Sequence, residues 1–402
     1  MARRARHTLL PLALLTTGAL LAGCGGGGSL GGDEGGSAGA GGGEGGGGGG
    51  GGPVDIGLLV PTSGVYAPLG EDLEQGFRLF LDQNDGQLAG RETNVKVVDE
   101  GESPDSGVPA AQSLVGSVDA VVGIVNSGTA LGVRDLFDEA QVPLIIANAG
   151  ADAITGANAS EYVWRTSFAN GEVAAALGPY AAEQCDNAFL IAADYAAGKE
   201  ATAGFQKTFT EAGGTVAGSV FAPFGSTTNY QPFLAQIQQS GADCVYSFFA
   251  GAEAVAFTKQ YRSLGVDATL YSSGFLTEGG VLAATGQDAV GVETSLHYSD
   301  QLDNPRNDEF VEAYKAAYDE APTVYAVQAY DAAQALDQAL ADGAEDGPGI
   351  VEGLKGIDTI DSPRGEFSFG EGGGPEQTYY LRKVEAKDGG LVNTIVRELD
   401  TA

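Results

Sequence analysis

Short apolar runs alternate with amphipathic helical patterns along most of the chain. In the first unit, residues 54–84, an apolar strand pattern ends at a loop and a helical pattern follows Gly70. Further apolar runs lie at 95–98, 120–125, 144–147, 189–192, 216–221, 245–249, 270–272 and 290–296, with helical patterns at 108–115, 172–184, 199–211, 230–239, 254–264, 307–319 and 324–341. This alternation predicts an α/β fold with parallel sheets and right-handed crossovers. Because the strands outnumber those of one average sheet, we expect two lobes.

The N-terminal segment has the pattern of an export signal. Three arginines precede an apolar stretch at 9–21, which is too short for a stable membrane span. The tetrapeptide Leu21-Ala22-Gly23-Cys24 resembles the bacterial lipoprotein signal, which implies export, cleavage and lipidation at Cys24. An ordinary secretory signal with an incidental cysteine is the alternative. Residues 25–52 are mostly glycine and predict a disordered tether.

Charge and histidine content exclude several classes of function. The chain has 54 acidic and 20 basic residues, so its net charge of −34 argues against nucleic acid or anionic lipid as a partner. Most of these carboxylates are expected to form a solvated acidic surface. Outside the predicted signal the sequence has one histidine, His297, and no nucleophile-elbow motif. We therefore expect neither an enzyme nor a metal site, and no cofactor.

Two loops that follow predicted strands carry groups suited to holding a carboxylate. In the loop 123–129, the hydroxyls of Ser127 and Thr129 lie at the start of a helical pattern, where backbone N–H groups are free. The loop 148–152, with Gly150 and Ala151, is placed in the same way after the next strand. Simple helix capping is the alternative role for each loop.

Aromatic residues also follow several of the strands. They are Tyr66, Tyr195, Phe248, Phe249, Phe275 and Tyr325. Each can be ordinary packing, but together they predict a shared apolar pocket. Two cysteines, Cys185 and Cys244, each precede an apolar strand, and neighbouring parallel strands would bring them close enough for a disulfide. Two buried free thiols are the alternative.

With these residues in view, the region from Val54 to about Val396 resembles the type I periplasmic binding proteins of ABC importers, in the branched-chain amino acid receptor family. The resemblance is carried by Ser63-Gly64 with Gly70, the loop 123–129, Asp194-Tyr195, and Pro363-Arg364-Gly365 with Phe367 and Phe369. It implies two α/β lobes joined by three hinge crossings, which close around a small solute. The lobes are expected at 53–166 with 299–365, and at 167–298 with 366–402.

The resemblance also implies roles for particular residues. Ser127 matches the serine that grips the ligand carboxylate, and the loop around Gly150 and Ala151 matches one that supplies further contacts. Tyr195 corresponds approximately to a pocket tyrosine. Phe249 and Ala250 match the pocket loop of the second lobe.

The main departure from the amino acid binders lies near Gly274. Those members keep an acidic residue there for the ligand ammonium, whereas this chain reads Ser-Ser-Gly-Phe-Leu at 272–276. Without a partner a buried ammonium costs several kcal/mol, unless an acid such as Glu278 substitutes. The stretches at 272–280, 297–305 and 324–334 look more like members that bind aromatic carboxylic acids.

We therefore expect a monomeric, lipid-anchored receptor that captures a small organic acid, aromatic in kind, and delivers it to a membrane permease and its ATPase. The lipid anchor would be its one link to the membrane. Binding of a branched-chain or other amino acid is the first alternative. A ligand-sensing domain that acts on a signalling partner is the second.

Overall fold

The computed structural model describes residues 51–156, 159–387 and 389–400. The predicted signal with its lipidation residue Cys24, and the predicted tether up to residue 50, lie outside the described residues. None of the described helices combines the length and the apolar character needed to span a membrane.

Strands and helices alternate through the described residues, as the periodicity predicts. The strands are β1 Val54–Val60, β2 Gln87–Leu88, β3 Arg91–Asp99, β4 Ala120–Gly123, β5 Leu144–Ile146, β6 Val163–Arg165, β7 Asn187–Ala193, β8 Thr215–Ala222, β9 Cys244–Phe248, β10 Thr269–Ser273, β11 Glu293–Leu296, β12 Ser368–Phe369, β13 Pro375–Glu376, β14 Tyr379–Lys387 and β15 Gly390–Leu399. The helices are α1 Ala67–Gln83, α2 Pro104–Gln112, α3 Ser127–Ala140, α4 Asn170–Ala175, α5 Gly178–Gln184, α6 Ala196–Glu211, α7 Gln231–Ser240, α8 Gly251–Ser263, α9 Gly280–Thr285, α10 Pro305–Tyr318, α11 Val324–Leu340 and α12 Gly347–Lys355.

The first sheet has the strand order β2-β3-β1-β4-β5-β6. All its neighbouring strands are parallel except β2, which pairs antiparallel with β3 at the edge. The strand β1 is buried along nearly its whole length, because helices cover both faces of the sheet. Because β1, β4 and β5 run parallel, the loops that leave them meet at one edge of this sheet.

The second sheet has the order β15-β14-β11-β10-β9-β7-β8. Its strands β7 to β11 are parallel, and the long hairpin β14–β15 adds two antiparallel strands at one edge. Sequence analysis did not predict this hairpin, because only two of the ten residues of β15 are buried and the strand lacks a continuous apolar run. Two mainly parallel sheets flanked by helices confirm the predicted two-lobed α/β fold.

The helices α10 to α12 return to the side of the first sheet. At Gly76 in α1 a side-chain Cβ would lie 2.0 Å from the carbonyl oxygen of Ala326 in α11, so the two helices pack backbone to backbone. The chain therefore crosses between the sheets after β6, after β11 and after α12. The numbered lobe boundaries given above remain a prediction.

A buried polar network links the first and third crossings. Arg364, in the third crossing, forms an ion pair with Asp331 of α11, with 3.0 Å between Nε and Oδ2. Its Nη1 also donates to the carbonyl of Ser167 in the first crossing, at 3.3 Å. Both charged side chains are almost completely buried, so removing one would leave the other unpaired at a cost of several kcal/mol.

A disulfide joins Cys185, which follows α5, to Cys244 at the start of β9, with 6.2 Å between the Cα atoms. The strands β7 and β9 are neighbours, and Ala188 pairs with Cys244 in their register. The bridge in the exported protein remains a prediction, for which a test is given below.

Candidate ligand-binding cleft

The site begins at the turn between β4 and α3. Gly123 and Ile124 both have positive φ angles, +137° and +66°, which turn the chain sharply at the end of the strand. Asn126 then caps α3, since its Oδ1 accepts the N–H groups of Gly128 at 2.9 Å and Thr129 at 3.1 Å. The helix cap is therefore Asn126, and the Ser127 hydroxyl is not needed for capping.

Ser127 is left with unused hydrogen-bonding groups. It is the first residue of α3, and neither its N–H nor its hydroxyl bonds to another residue in the described ranges. The neighbouring loop contributes Gly150, whose N–H likewise has no partner among the described residues. Both residues line one cleft. Free N–H groups and a hydroxyl at a helix N-terminus form a site for an anion such as a carboxylate.

Aromatic rings form much of the rest of the wall. The space inside the cleft is small in this conformation, about 30 Å³ against the range of about 300–1,000 Å³ usual for small-molecule pockets, so the walls must move apart to admit a ligand. Its lining consists of Tyr66, Leu69, Val125, Ser127, Asn148, Gly150, Phe168, Asn170, Tyr195, Ala197, Phe248, Ala250, Phe275 and Tyr325. Phe275 lies at the centre of the aromatic set, with ring centroids 4.6 Å from Phe168, 6.0 Å from Phe248 and 6.3 Å from Tyr325.

Polar groups are few and specifically placed. The Nδ2 of Asn148 donates to Oε1 of Gln328 at 3.0 Å, and the Nε2 of Gln328 lies 3.0 Å from Nε2 of His297. Burial, with Arg364 and Arg382 nearby, lowers the pKa of His297 well below its usual value, so the imidazole is neutral. Neutral His297 can accept a hydrogen bond from the side chain of Gln328. Through Gln328, this hydrogen bond fixes the orientation of the Asn148 side-chain amide.

Three tyrosine hydroxyls approach the cleft. Tyr66 and Tyr195 both line the cleft, and burial raises the pKa of both phenols, so both stay neutral at physiological pH. The Tyr325 hydroxyl is buried and has no hydrogen-bond partner among the described residues. A buried hydroxyl without a partner is unfavourable, so Tyr325 is suited to a polar group of the ligand.

No charged side chain is among the described residues that line the cleft. Glu278, the acid that could replace the missing ammonium partner, is already paired with Arg382 at 2.8 Å between Oε2 and Nη1. Its other oxygen accepts the N–H of Val324 at 2.8 Å. Both members of the ion pair are buried, and Glu278 is not part of the cleft lining.

The predicted site residues divide into two groups. Seven of the eleven line the cleft: Tyr66, Ser127, Gly150, Tyr195, Ala250, Phe275 and Tyr325. The other four lie behind the wall: Thr129, Ala151, Phe249 and Gly274. Thr129 packs towards Gly107 of α2, while Phe249 packs on Tyr230 and Phe257 in the core of the second lobe.

Gly274 does not line the cleft, contrary to the expectation from the sequence resemblance. A Cβ at this position would lie 2.3 Å from Nη2 of Arg382 and 2.7 Å from Cβ of Leu296, so it faces the core. The next residue, Phe275, faces the cleft in its place. Sequence analysis missed the lining residues Phe168 and Asn170 altogether, because they belong to the first crossing and carry no loop signal of their own.

The described residues contain no group of three or more His, Cys, Asp or Glu side chains arranged to hold a metal ion. The chemistry available in the cleft is hydrogen bonding and aromatic packing.

Comparison with known proteins identifies the family. A family model described as periplasmic binding protein matches residues 53–390. The chain belongs to the periplasmic binding protein family. It is 29% identical over 350 residues to Leu/Ile/Val-binding protein homolog 6 of Brucella melitensis, covering 84% of this chain and 89% of that protein.

Solved structures of the same family are also similar. A solute-binding protein of an ABC transporter from R. palustris, in complex with benzoate, is 36% identical with a TM-score of 0.81, covering 87% of this chain and 98% of the other. Another, from Rhodopseudomonas palustris BisB5 in complex with 3,4-dihydroxybenzoic acid, is 29% identical with a TM-score of 0.82 and the same coverage.

These findings confirm the resemblance stated from the sequence. The chain is an ABC-transporter solute-binding protein of the branched-chain amino acid receptor type. Its family and fold are those of transport proteins that bind small molecules and work with a permease and an ATPase, and members of the family are exported.

Proposed function

We propose that this periplasmic binding protein captures an aromatic carboxylate, of the benzoate kind, in the cleft between its lobes. The observation that carries the proposal is the lining of the cleft: aromatic rings, a free anion site at Ser127, and no charged side chain. The carboxylate is held by the N–H and hydroxyl of Ser127 with the N–H of Gly150. The ring packs among Phe168, Phe248 and Phe275.

The same lining disfavours an α-amino acid. Its ammonium would lose its hydration inside the cleft and would find no carboxylate there, since Glu278 is committed to Arg382 and Val324. An unpaired buried charge costs several kcal/mol. An aromatic carboxylate avoids this cost, because its one charged group has the helix N-terminus as a partner.

The solved relatives support the same assignment. Two structures that align over 87% of this chain hold benzoate and 3,4-dihydroxybenzoic acid. The curated relative named for leucine, isoleucine and valine is 29% identical, against 36% and 29% for the two aromatic-acid complexes.

In the cell the protein acts as a monomer tethered through lipidated Cys24 and the glycine-rich segment to the outer face of the cytoplasmic membrane. From there it delivers its ligand to the permease and ATPase of an importer. Mass spectrometry of the exported protein tests the anchor: a diacylglyceryl mass on an N-terminal Cys24 is expected, and an unmodified N-terminus at another residue contradicts it.

A thermal-shift panel tests the ligand class. Benzoate, hydroxybenzoates, cinnamate, leucine and valine are compared at equal concentrations. A ligand at about 100 times its dissociation constant adds about 2.7 kcal/mol to the free energy of unfolding. We expect the aromatic acids to stabilise the protein and the amino acids to leave it unchanged. Stabilisation by leucine or valine without any by aromatic acids would refute the proposal.

A further inference from the structure

The anion site has a second carboxylate directly behind it. Glu100 follows β3 and is completely buried. Its two oxygens accept the N–H groups of Val125 at 2.7 Å and Asn126 at 2.9 Å, the two residues that precede Ser127. In the described part of the chain no Lys, Arg or His side chain pairs with it.

Glu100 is itself rigidly held. Its N–H donates to the carbonyl of Val60 at 3.0 Å, and the hydroxyl of Ser106 donates to its carbonyl at 2.9 Å. The turn that it grips contains Ile124 at φ +66°, a conformation that is unfavourable for a β-branched residue and persists only when its surroundings hold it. The direction of the Ser127 N–H and hydroxyl therefore depends on Glu100.

A bound ligand would place a second anion at the same helix end. The N–H groups of Val125 and Asn126 favour the ionised form of Glu100, but burial outweighs them and raises its pKa to about 8, with a smaller contribution from the charge of Asp99. Asp99 stays ionised, because hydrogen bonds from Ser63, Thr62 and Gly101 lower its own pKa. A ligand carboxylate beside Ser127 disfavours the ionised form of Glu100 further, through like-charge repulsion.

We propose that Glu100 is the positioning residue of the anion site and that it takes up a proton from the solvent when a carboxylate binds at Ser127. Protonated Glu100 still accepts one backbone N–H, and its O–H can donate to the nearby Thr129 hydroxyl, which is buried and has no hydrogen-bond partner among the described residues. This inference rests on the proposed anion site but not on the aromatic nature of the ligand.

Calorimetry in two buffers of different ionisation enthalpy measures the proton directly. Benzoate and leucine are each titrated into the full exported protein between pH 6.5 and 9.5. We expect uptake of a fraction of one proton near pH 8, and a dissociation constant that rises with pH above that value by up to about tenfold per unit, the limit for one linked proton.

The variant Glu100→Gln removes the titration. Its amide can accept one of the two N–H groups but presents an NH₂ to the other, so we expect weaker binding that no longer depends on pH and takes up no proton. Asp72→Asn is the matched control, because burial also raises the pKa of Asp72, to about 7, and Asp72 does not line the cleft. Proton uptake should persist in this control.

The outcomes separate the two proposals. Leucine binding with proton uptake, without any binding of benzoate, would refute the aromatic ligand but support the role of Glu100. Benzoate binding with equal heats in both buffers and no pH dependence would overturn the role of Glu100 and leave the ligand class intact. Loss of proton uptake in Asp72→Asn would also overturn the role of Glu100. This test does not require Glu100→Gln to fold. A protein that binds no carboxylate refutes both.

Discussion

Replacing Ser127 by alanine separates ligand binding from helix capping. The Ser127 hydroxyl bonds to no other described residue, while Asn126 caps α3 through two N–H groups. Ser127→Ala should therefore remove a hydrogen bond to the ligand carboxylate without exposing an unsatisfied group in the free protein. Asn126→Ala is the matched comparison one residue earlier in the same turn.

The magnitudes of the two effects follow from the contacts. A hydrogen bond to a charged group contributes about 1.5–3 kcal/mol, so Ser127→Ala should weaken benzoate binding roughly 10- to 150-fold. The free energy of unfolding without ligand should stay the same or rise slightly, since alanine favours a helix. Loss of the cap in Asn126→Ala should lower the free energy of unfolding by about 1 kcal/mol.

Isothermal calorimetry with benzoate and urea unfolding of the free protein measure both quantities for each variant. The backbone N–H of Ser127 remains in the alanine variant, so residual binding is expected. If Ser127→Ala bound benzoate as tightly as the wild type and lost about as much stability as Asn126→Ala, Ser127 would be a structural residue and the anion site would lie elsewhere.

Two further predictions concern ligand class and stability. Phe275→Glu places a carboxyl group in an uncharged cleft, so it should weaken benzoate binding and let leucine bind, relative to the control Phe275→Leu; calorimetry with both ligands showing equal losses in the two variants would contradict this. Reduction of the bridge between Cys185 and Cys244, 59 residues apart, should lower the free energy of unfolding by up to about 4 kcal/mol. Two thiols alkylated in the native, unreduced protein would show that the bridge is not formed.

The fold was predictable because buried parallel strands have a simple pattern. Strands covered on both faces, such as β1 and β9, read as continuous apolar runs, and the helices between them show a single apolar stripe. The hairpin β14–β15 was not predictable, since β15 and the exposed end of β14 mix charged and apolar residues. Its pairing depends on the second sheet, which local sequence does not reveal.

The sequence was enough to predict which loops form the cleft, but not which of their side chains face it. Thr129 follows Ser127 by two residues, which places it about 200° further round α3, so the two cannot face the same way. Phe248 and Ala250 line the cleft, whereas Phe249 between them points into the core. Neighbouring residues of an extended segment alternate in this way, and only the register of the sheet decides which of them face the ligand.

Gly274 and Phe275 show the same limitation with a larger consequence. The sequence resemblance pointed to Gly274 as the position that decides which ligand charge is accepted. In the structure Gly274 faces the core, and the next residue, Phe275, faces the cleft. The role of Glu100 was also out of reach, because it comes from a different strand and acts on the backbone of the loop that holds Ser127.

A crystal structure of the protein with benzoate tests the central claim most directly. The account predicts one carboxylate oxygen at about 2.7–3.2 Å from the N–H and hydroxyl of Ser127, with the ring packed against the aromatic wall formed by Phe168, Phe248 and Phe275. A carboxylate bound at the opposite end of the cleft, or a ligand bound outside it, would contradict the account.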